Sequence, residues 1–290
     1  MARENPPIKF VKYHALGNDY IVINPADLNG ELTPSEMLMI CDRHYGIGSD
    51  GVLLGPLESS RCDFKLKIFN PDASEAEKSG NGLRLFSRYL WDQGLVTNKP
   101  FSIETKGGDV RATVHEAGKT VSVDMGRVTF THESDLVVEP RPEEITINNS
   151  TFEFYRANVG NPHCVIPVAT VSSELAKRFG PIIEKDSLFS NRTNIQFLQI
   201  ISRNTVKIEI WERGAGYTLA SGSSSTASAG VAFALGLCDE EISVHMPGGI
   251  LQIAFDKSFK ATMTGPVCNI GEGIITEEAL KDFEISQPSR

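Results

Sequence analysis

Short runs in which apolar and polar residues alternate recur along the chain. FKLKIF at 64–69, VKIEIW at 206–211 and ISVHM at 242–246 read as half-buried strands, because successive strand side chains point to opposite faces. Two Gly-Gly pairs, Gly107-Gly108 in ETKGGDVRATV and Gly248-Gly249 in HMPGGILQIAF, sit between such runs and read as hairpin turns. Residues 82–92 and 223–235 have the length and the small or apolar faces of helices. A further helix is predicted over 34–43, with Thr33 as its N-cap and Pro34 at its first position.

The pattern repeats at nearly half the chain length. LGNDYIVI, with Gly17, returns as VGNPHCVI, with Gly160, an offset of 143. Asp50 in SDGVLL matches Asn194 in TNIQFL; Phe69-Asn70, closing KLKIF, matches Trp211-Glu212, closing KIEIW. Ser79-Gly80 matches Ser221-Gly222, and each pair precedes a predicted helix that stops at Gly-Leu. The Gly-Gly turns follow in the same order, and then Gly126 and Gly265. One shared Gly pair means little; an ordered series at near-constant spacing reads as a duplicated unit. The expected architecture is α/β, with two pseudo-symmetric domains, each a curved, barrel-like, mostly antiparallel sheet around one central helix. The boundaries are placed at 1–126 plus 276–290 for the first domain and 127–275 for the second, the tail returning to the first.

Composition narrows the function. At 290 residues, 40% hydrophobic and 22% charged, the chain has ample material for two cores. A net charge of −9 argues against nucleic acid or an anionic membrane as the main partner. No run nears the ~18 apolar residues of a spanning helix, and the first residues lack a signal-peptide core. The five cysteines, Cys41, Cys62, Cys164, Cys238 and Cys268, are widely spaced; reduced thiols in a cytoplasmic enzyme are expected, with no disulfide framework and no metal site.

Candidate chemistry gathers where the repeat places it. NPDASEAEKSGNGLR (70–84) and ERGAGYTLASGSSSTAS (212–228) each join a strand end to a helix start through a polar loop. Helix starts expose unpaired N–H groups and a positive dipole end, which suits a carboxylate or phosphate. Ser-Gly before a helix is by default only an N-cap. The two loops, however, also carry Asn70, Asp72, Glu75, Asn81 and Arg84, and Glu212, Arg213 and Tyr217. Asn18, Asn161, His163 and Asn194 sit beside or within apolar runs, as turn and structural residues by default. A duplicated chain is expected to carry a small-molecule site between its halves, with Ser79 and Ser221 facing one cleft.

These residues carry a resemblance. KYHALGNDYIVIN, CDRHYGIGSDGVLL, FNPDASEAEKSGNGLR, VGNPHCV, NRTNIQF, IEIWERGAGYTLASGSSS, MPGGILQI and MTGP together make the chain similar to diaminopimelate epimerases along nearly its whole length. The resemblance implies a two-domain α/β fold and a cofactor-independent, PLP-independent isomerase of lysine biosynthesis. Such enzymes interconvert LL- and meso-diaminopimelate by moving the α-proton, using no metal and a cysteine from each domain. It implies substrate binding by Asn18, Asn70, Gly80, Asn81, Asn161, Asn194, Arg213, Gly222 and Ser223. Arg213 would pair with the distal carboxylate, and His163 and Glu212 would stand near the reacting centre. A small-molecule amino-acid substrate is the implied partner, and a homodimer stays open.

The two family cysteines fall on Ser79 and Ser221; Tyr217 stands where Glu is usual and Ala73 where Gly is usual. A thiol of pKa about 8.5 becomes a usable thiolate at a helix start. A serine hydroxyl is far less acidic and needs a neighbouring base. The catalytic set is therefore read as Ser79, Ser221, His163 and Glu212. The alternatives are a one-base isomerase or dehydratase acting on a related amino or carboxylic acid, or a ligand-binding homologue without catalysis.

Overall fold

The computed structural model describes residues 7–130 and 139–280. In chain order the elements are β1 (Ile8–Ala15), β2 (Asn18–Ile23), α1 (Pro34–Cys41), β3 (Val52–Leu57), β4 (Phe64–Phe69), β5 (Glu75–Ala76), α2 (Gly80–Asp92), β6 (Phe101–Thr105), β7 (Gly108–His115) and β8 (Thr120–Arg127). They continue with β9 (Pro142–Ile147), β10 (Ser150–Asn158), β11 (Pro162–Pro167), α3 (Ser173–Ile183), β12 (Asn194–Ser202), β13 (Thr205–Glu212) and β14 (Gly216–Thr218). The last are α4 (Gly222–Ala234), β15 (Glu241–Met246), β16 (Gly249–Phe255), β17 (Lys260–Pro266) and β18 (Cys268–Ile275).

The chain divides into two compact units. The first takes the described residues up to Val123 and from Pro266 onward; the second takes those of Asp124–Gly265. The duplication appears in the strand pairing itself. In the first unit β1–β2 is antiparallel, β2–β3 parallel, β3–β4 antiparallel, β4–β6 parallel and β6–β7 antiparallel. In the second, β10–β11, β11–β12, β12–β13, β13–β15 and β15–β16 repeat the same series. Each unit is thus a mixed, mainly antiparallel sheet. β18, which the sequence reading grouped with the second domain, pairs with β1 from Ile8↔Ile275 onward and belongs to the first unit. Leu280 is buried with Ile8, Ile21 and Ile23; the tail from 281 lies outside the described residues.

Each unit packs its sheet on one helix of 13 residues, α2 or α4. In α2, Leu83, Leu85, Phe86 and Leu90 are fully buried, each contributing about 1.5–3 kcal/mol of hydrophobic stabilisation. α4 buries a run of small residues, Ser224 to Gly230, followed by Val231 and Ala232. Its Gly230 admits no side chain, because a Cβ there would lie 2.9 Å from Val128 Cγ1. The two Gly-Gly turns are two-residue hairpins, closed by Thr105↔Gly108 and Met246↔Gly249. Gly108 and Gly249 take φ of 111° and 138°, a conformation that costs a Cβ-bearing residue steric strain. α1 begins at a capping box in which Thr33 and Glu36 satisfy each other's backbone N–H groups.

Candidate functional site

In the first unit the parallel pairing of β2 with β3 sets two strand starts side by side. Asp50 N donates to Asp19 O at 2.8 Å, which brings the side chains of Asn18 and Asp50 together: Asn18 Nδ2 donates to Asp50 Oδ2 at 2.8 Å. Asp50 also accepts from Asp19 N and from Arg43 Nη2. Asp19 is held by Arg43 and Lys12. Burial pushes the Asp19 carboxyl up and these two cations pull it further down, so the net shift is below the usual carboxylate range.

Ser79 is the N-cap of α2, extended at φ −137°, ψ 118°, and its Oγ accepts from Gly82 N at 3.0 Å. Leu83 N bonds to Ser79 O. That leaves the Gly80 and Asn81 backbone N–H groups without an acceptor among the described residues, at the positive end of the helix. Asn81 Nδ2 donates to Asn18 Oδ1 at 2.9 Å, so the fold joins Asn18 to the helix start. The Tyr20 hydroxyl lies 3.4 Å from Ser79 Oγ. Asn70 is turned into its own loop: its backbone N–H bonds to Ser74 O, and its Nδ2 to Ser74 Oγ at 2.9 Å. In that loop Ala73 sits at φ 64°, the left-handed conformation that glycine takes freely.

The second unit repeats the arrangement at the equivalent strand ends. Pairing of β11 with β12 sets His163 opposite Asn194. Asn194 Nδ2 donates to Pro162 O and its Oδ1 accepts from Arg213 N at 3.0 Å, tying the start of β11 to the end of β13. His163 Nε2 lies 2.9 Å from Asn161 Oδ1. His163 is 1% exposed. Burial pushes its pKa down to about 3; nearby Gln196 acts against this, and the Arg213 charge adds to it. His163 Nδ1 and Gln196 Oε1 are both buried without a well-formed hydrogen bond.

Asn161, His163 and Arg213 line a polar cavity of about 1010 Å³, together with Arg156, Arg192 and Thr193. Arg156 is paired with Glu143, and Arg192 with Glu184. Arg213 donates from Nη1 to Asn191 O and has no carboxylate partner among the described residues.

Ser221 is the N-cap of α4 at φ −146°, ψ 127°, and its Oγ accepts from Ser224 N at 3.4 Å. Ser225 N bonds to Ser221 O, so the Gly222 and Ser223 N–H groups are left without an acceptor among the described residues. Glu212 ends β13 and accepts from Thr218 Oγ1 at 3.1 Å. Burial raises its pKa, and hydrogen bonds from Ser221 and Thr218 pull the other way without reversing the shift. A hydroxyl and a carboxyl whose pKa is raised by burial therefore share the start of α4.

The Tyr217 side chain is committed away from the start of α4: its hydroxyl donates to Glu209 Oε2 at 2.7 Å and Lys177 Nζ lies 4.5 Å over its ring. Tyr20, Thr218 and Gln196 were not singled out from the sequence. Each sits within or beside an apolar strand run, where a polar tip reads as incidental. The cysteines stand apart: Cys41 meets Ser49, Cys238 the Ser202 carbonyl and Cys268 the Asn269 carbonyl, and Cys164 is in the second core, where burial pushes its thiol up. Among the described residues no three His, Cys, Asp or Glu side chains cluster as metal ligands. No helix among them is long and apolar enough to cross a membrane.

The family model for diaminopimelate epimerase matches residues 10–131 and 155–270. Diaminopimelate epimerase 2 of Nostoc sp. (strain PCC 7120) is 56% identical over 275 residues, covering 93% of this chain and 96% of that one. The diaminopimelate epimerase of Desulfitobacterium hafniense is 36% identical over 288 residues, covering 94% and 100%. Among solved structures, a hydroxyproline epimerase from Agrobacterium vitis aligns with a TM-score of 0.69 at 15% identity, over 93% of each chain. A Bacillus anthracis protein of the PhzF phenazine-biosynthesis family aligns at 0.63 and 17%, over 93% of this chain and 99% of that one. These structures share the two-domain duplicated fold, and the sequence matches span both halves: the chain belongs to the diaminopimelate epimerase family.

Proposed function

We propose that this chain is an amino-acid epimerase that moves the α-proton of a small diacid of the diaminopimelate kind. The observation that carries the reading is Arg213, a guanidinium with no carboxylate partner among the described residues, in one polar cavity with Asn161 and His163. A substrate with a second carboxylate supplies the missing partner. The α-carboxylate is assigned to the acceptor-free N–H groups of Gly80, Asn81, Gly222 and Ser223, with Asn18, Asn70 and Asn194 as further substrate contacts. The family relatives named for this activity support it.

In this reading Ser79 and Ser221 occupy the places of the family's two catalytic cysteines. A helix start favours an anion by ~0.3–2 kcal/mol, about one pKa unit, which cannot make an alkoxide near pH 7. Ser221 has a carboxyl beside it in Glu212; the hydroxyl nearest Ser79 is that of Tyr20. Proton transfer is therefore assigned to Glu212 acting with Ser221, and His163 orients rather than titrates. The Glu212–Ser221 contact also favours a second reading, a one-base isomerisation of a related acid.

Incubation with LL-diaminopimelate in deuterated water separates the readings. Deuterium at the α-carbon with formation of the meso isomer is the expected result. A new ultraviolet absorbance without α-exchange supports the one-base isomerase. Binding without either change overturns both in favour of a ligand-binding protein.

A further inference from the structure

Arg84 is the largest fully buried side chain among the described residues, and no carboxylate among them answers it. Its three contacts are neutral oxygens: Nη2 to Asn81 Oδ1 at 2.5 Å, Nε to Gly80 O at 3.4 Å and Nη1 to Pro266 O at 3.4 Å. Burial of a cation costs free energy even when it is hydrogen-bonded, so a core position of this kind calls for a reason beyond packing.

The reason lies in the direction of a hydrogen-bond chain. A guanidinium only donates, and an ionised carboxylate only accepts. Between Arg84 at one end and Asp50 at the other stand two primary amides. Arg84 donates to Asn81 Oδ1, Asn81 Nδ2 to Asn18 Oδ1 at 2.9 Å, and Asn18 Nδ2 to Asp50 Oδ2 at 2.8 Å. An amide in isolation can turn over and exchange oxygen for nitrogen with little loss. Here a turn of Asn81 would set N–H against N–H of Arg84, and a turn of Asn18 would set oxygen against the Asp50 carboxylate. A turn of either alone would also set like groups together between the two amides. Neither amide has a second stable orientation.

We propose that Arg84 and Asp50 are positioning residues that fix the orientation of the Asn18 and Asn81 amides from opposite ends of one chain. Each amide is left with one uncommitted Nδ2 proton, so the pair offers two fixed N–H donors beside the acceptor-free backbone N–H groups of Gly80 and Asn81. That cluster of donors suits a carboxylate. Asp50 is itself anchored by Arg43 Nη2 and Asp19 N, and Asp19 by Lys12. The carboxylate end of the chain is thereby held in place. The ligand-binding consequence rests on the proposed function; the orientation itself does not.

The test is the side-chain amide NMR spectrum of the ligand-free, ¹⁵N-labelled chain, comparing wild type with Asp50→Asn and Arg84→Gln. Asp50 touches Asn18 but not Asn81, and Arg84 touches Asn81 but not Asn18. The expected result is that Asp50→Asn shifts the Asn81 Nδ2 resonances and speeds their exchange, and that Arg84→Gln does the same to Asn18. A change confined to the amide that is directly touched overturns the proposal. Should the buried Arg84→Gln chain fail to fold, the half-exposed Asp50→Asn variant decides alone.

Calorimetric titration with LL-diaminopimelate adds the functional reading. Each variant is expected to bind about tenfold more weakly, and the double variant no more weakly than the worse single one, since both break the same chain. Independent, multiplying losses overturn the shared role. Wild-type chain that binds no diaminopimelate overturns the substrate reading and leaves the amide result to judge the positioning role.

Discussion

His163 Nε2 lies 2.9 Å from Asn161 Oδ1, and the imidazole is sealed from solvent. A neutral ring with its proton on Nε2 donates to that oxygen, and burial lowers the pKa to about 3. Folding therefore favours the unprotonated ring over the ordinary value of 6.5. The stability this provides is complete above about pH 6.5 and is lost as the pH falls toward 3. His163 ring resonances are expected to stay constant between pH 5 and 8. In chemical denaturation, His163→Gln should lose less stability than wild type between pH 6 and pH 4. A ring that titrates near pH 6.5 refutes both points.

Glu212 runs the other way. Burial raises its pKa above the ordinary 4.5, so the native state prefers the protonated carboxyl. The stability linked to this proton is present below about pH 4.5 and is lost as the pH rises through the raised value. Glu212→Gln is expected to melt higher than wild type at pH 8 and no higher at pH 4. If Glu212 moves the α-proton, the same variant should lose about 10²-fold or more in α-exchange. A variant that is more stable and fully active would leave Glu212 with no part in proton transfer.

Much of this organisation is legible in the chain because it is local. Ser79 and Ser221 announce helix starts through the residues that follow them, and both helices run 13 residues from the next position. The hairpins at 105–108 and 246–249 follow from paired glycines between alternating runs. What stays hidden depends on distant pairing. Asn18 and Asp50 meet only because β2 and β3 run parallel. Arg84, inside GNGLRLF, reads as one more polar group of the 70–84 loop, and nothing local shows that it is fully buried. β18 has mostly exposed side chains and weak alternation, and its place in the first unit is decided by β1, more than 250 residues earlier.

Ala73 at φ 64° occupies a conformation that costs a residue with a Cβ roughly 1–2 kcal/mol. Glycine there relieves the strain but adds about 0.4–1 kcal/mol of unfolded-state entropy. Ala73→Gly is thus expected to stabilise by up to about 1 kcal/mol, and Ala73→Val to destabilise by more than that, since β-branching makes φ > 0 harder still. Denaturant midpoints compared at equal slope check both; a destabilised glycine variant would mean that the turn 70–74 tolerates alanine without strain.

Arg213 offers the clearest test of substrate class. Among the described residues its guanidinium donates only to the Asn191 carbonyl, so loss of its head group breaks no ion pair there. Arg213→Ala is expected to weaken binding of diaminopimelate at least tenfold and to leave an amino acid with a single carboxylate within about twofold. Calorimetry on the two ligands separates the outcomes. Equal losses would make Arg213 a structural residue, acting through its backbone bond to Asn194.

The serines themselves bear the sharpest prediction. Both cap helices in the extended conformation, with Oγ accepting from the third residue of the turn. Cysteine in either place keeps the backbone and puts sulfur at the positive end of a helix, where a thiol loses its proton more readily. Among the described residues the N–H groups of Gly80 and Asn81 beside Ser79, and of Gly222 and Ser223 beside Ser221, have no acceptor, and Glu212 stands by Ser221. If the acid–base atoms are what this chain lacks for fast two-base epimerisation, Ser79→Cys with Ser221→Cys should raise α-proton exchange of LL-diaminopimelate by about 10²–10⁴-fold, the usual contribution of a general acid or base. Each single variant should gain far less, because a proton must be removed by one group and returned by the other. A double variant that binds diaminopimelate without faster exchange would move the explanation to Tyr217 and Ala73. A wild type that already exchanges at the rate of the double variant would mean that Ser221, driven by the buried Glu212 carboxyl, does the work assigned to thiols.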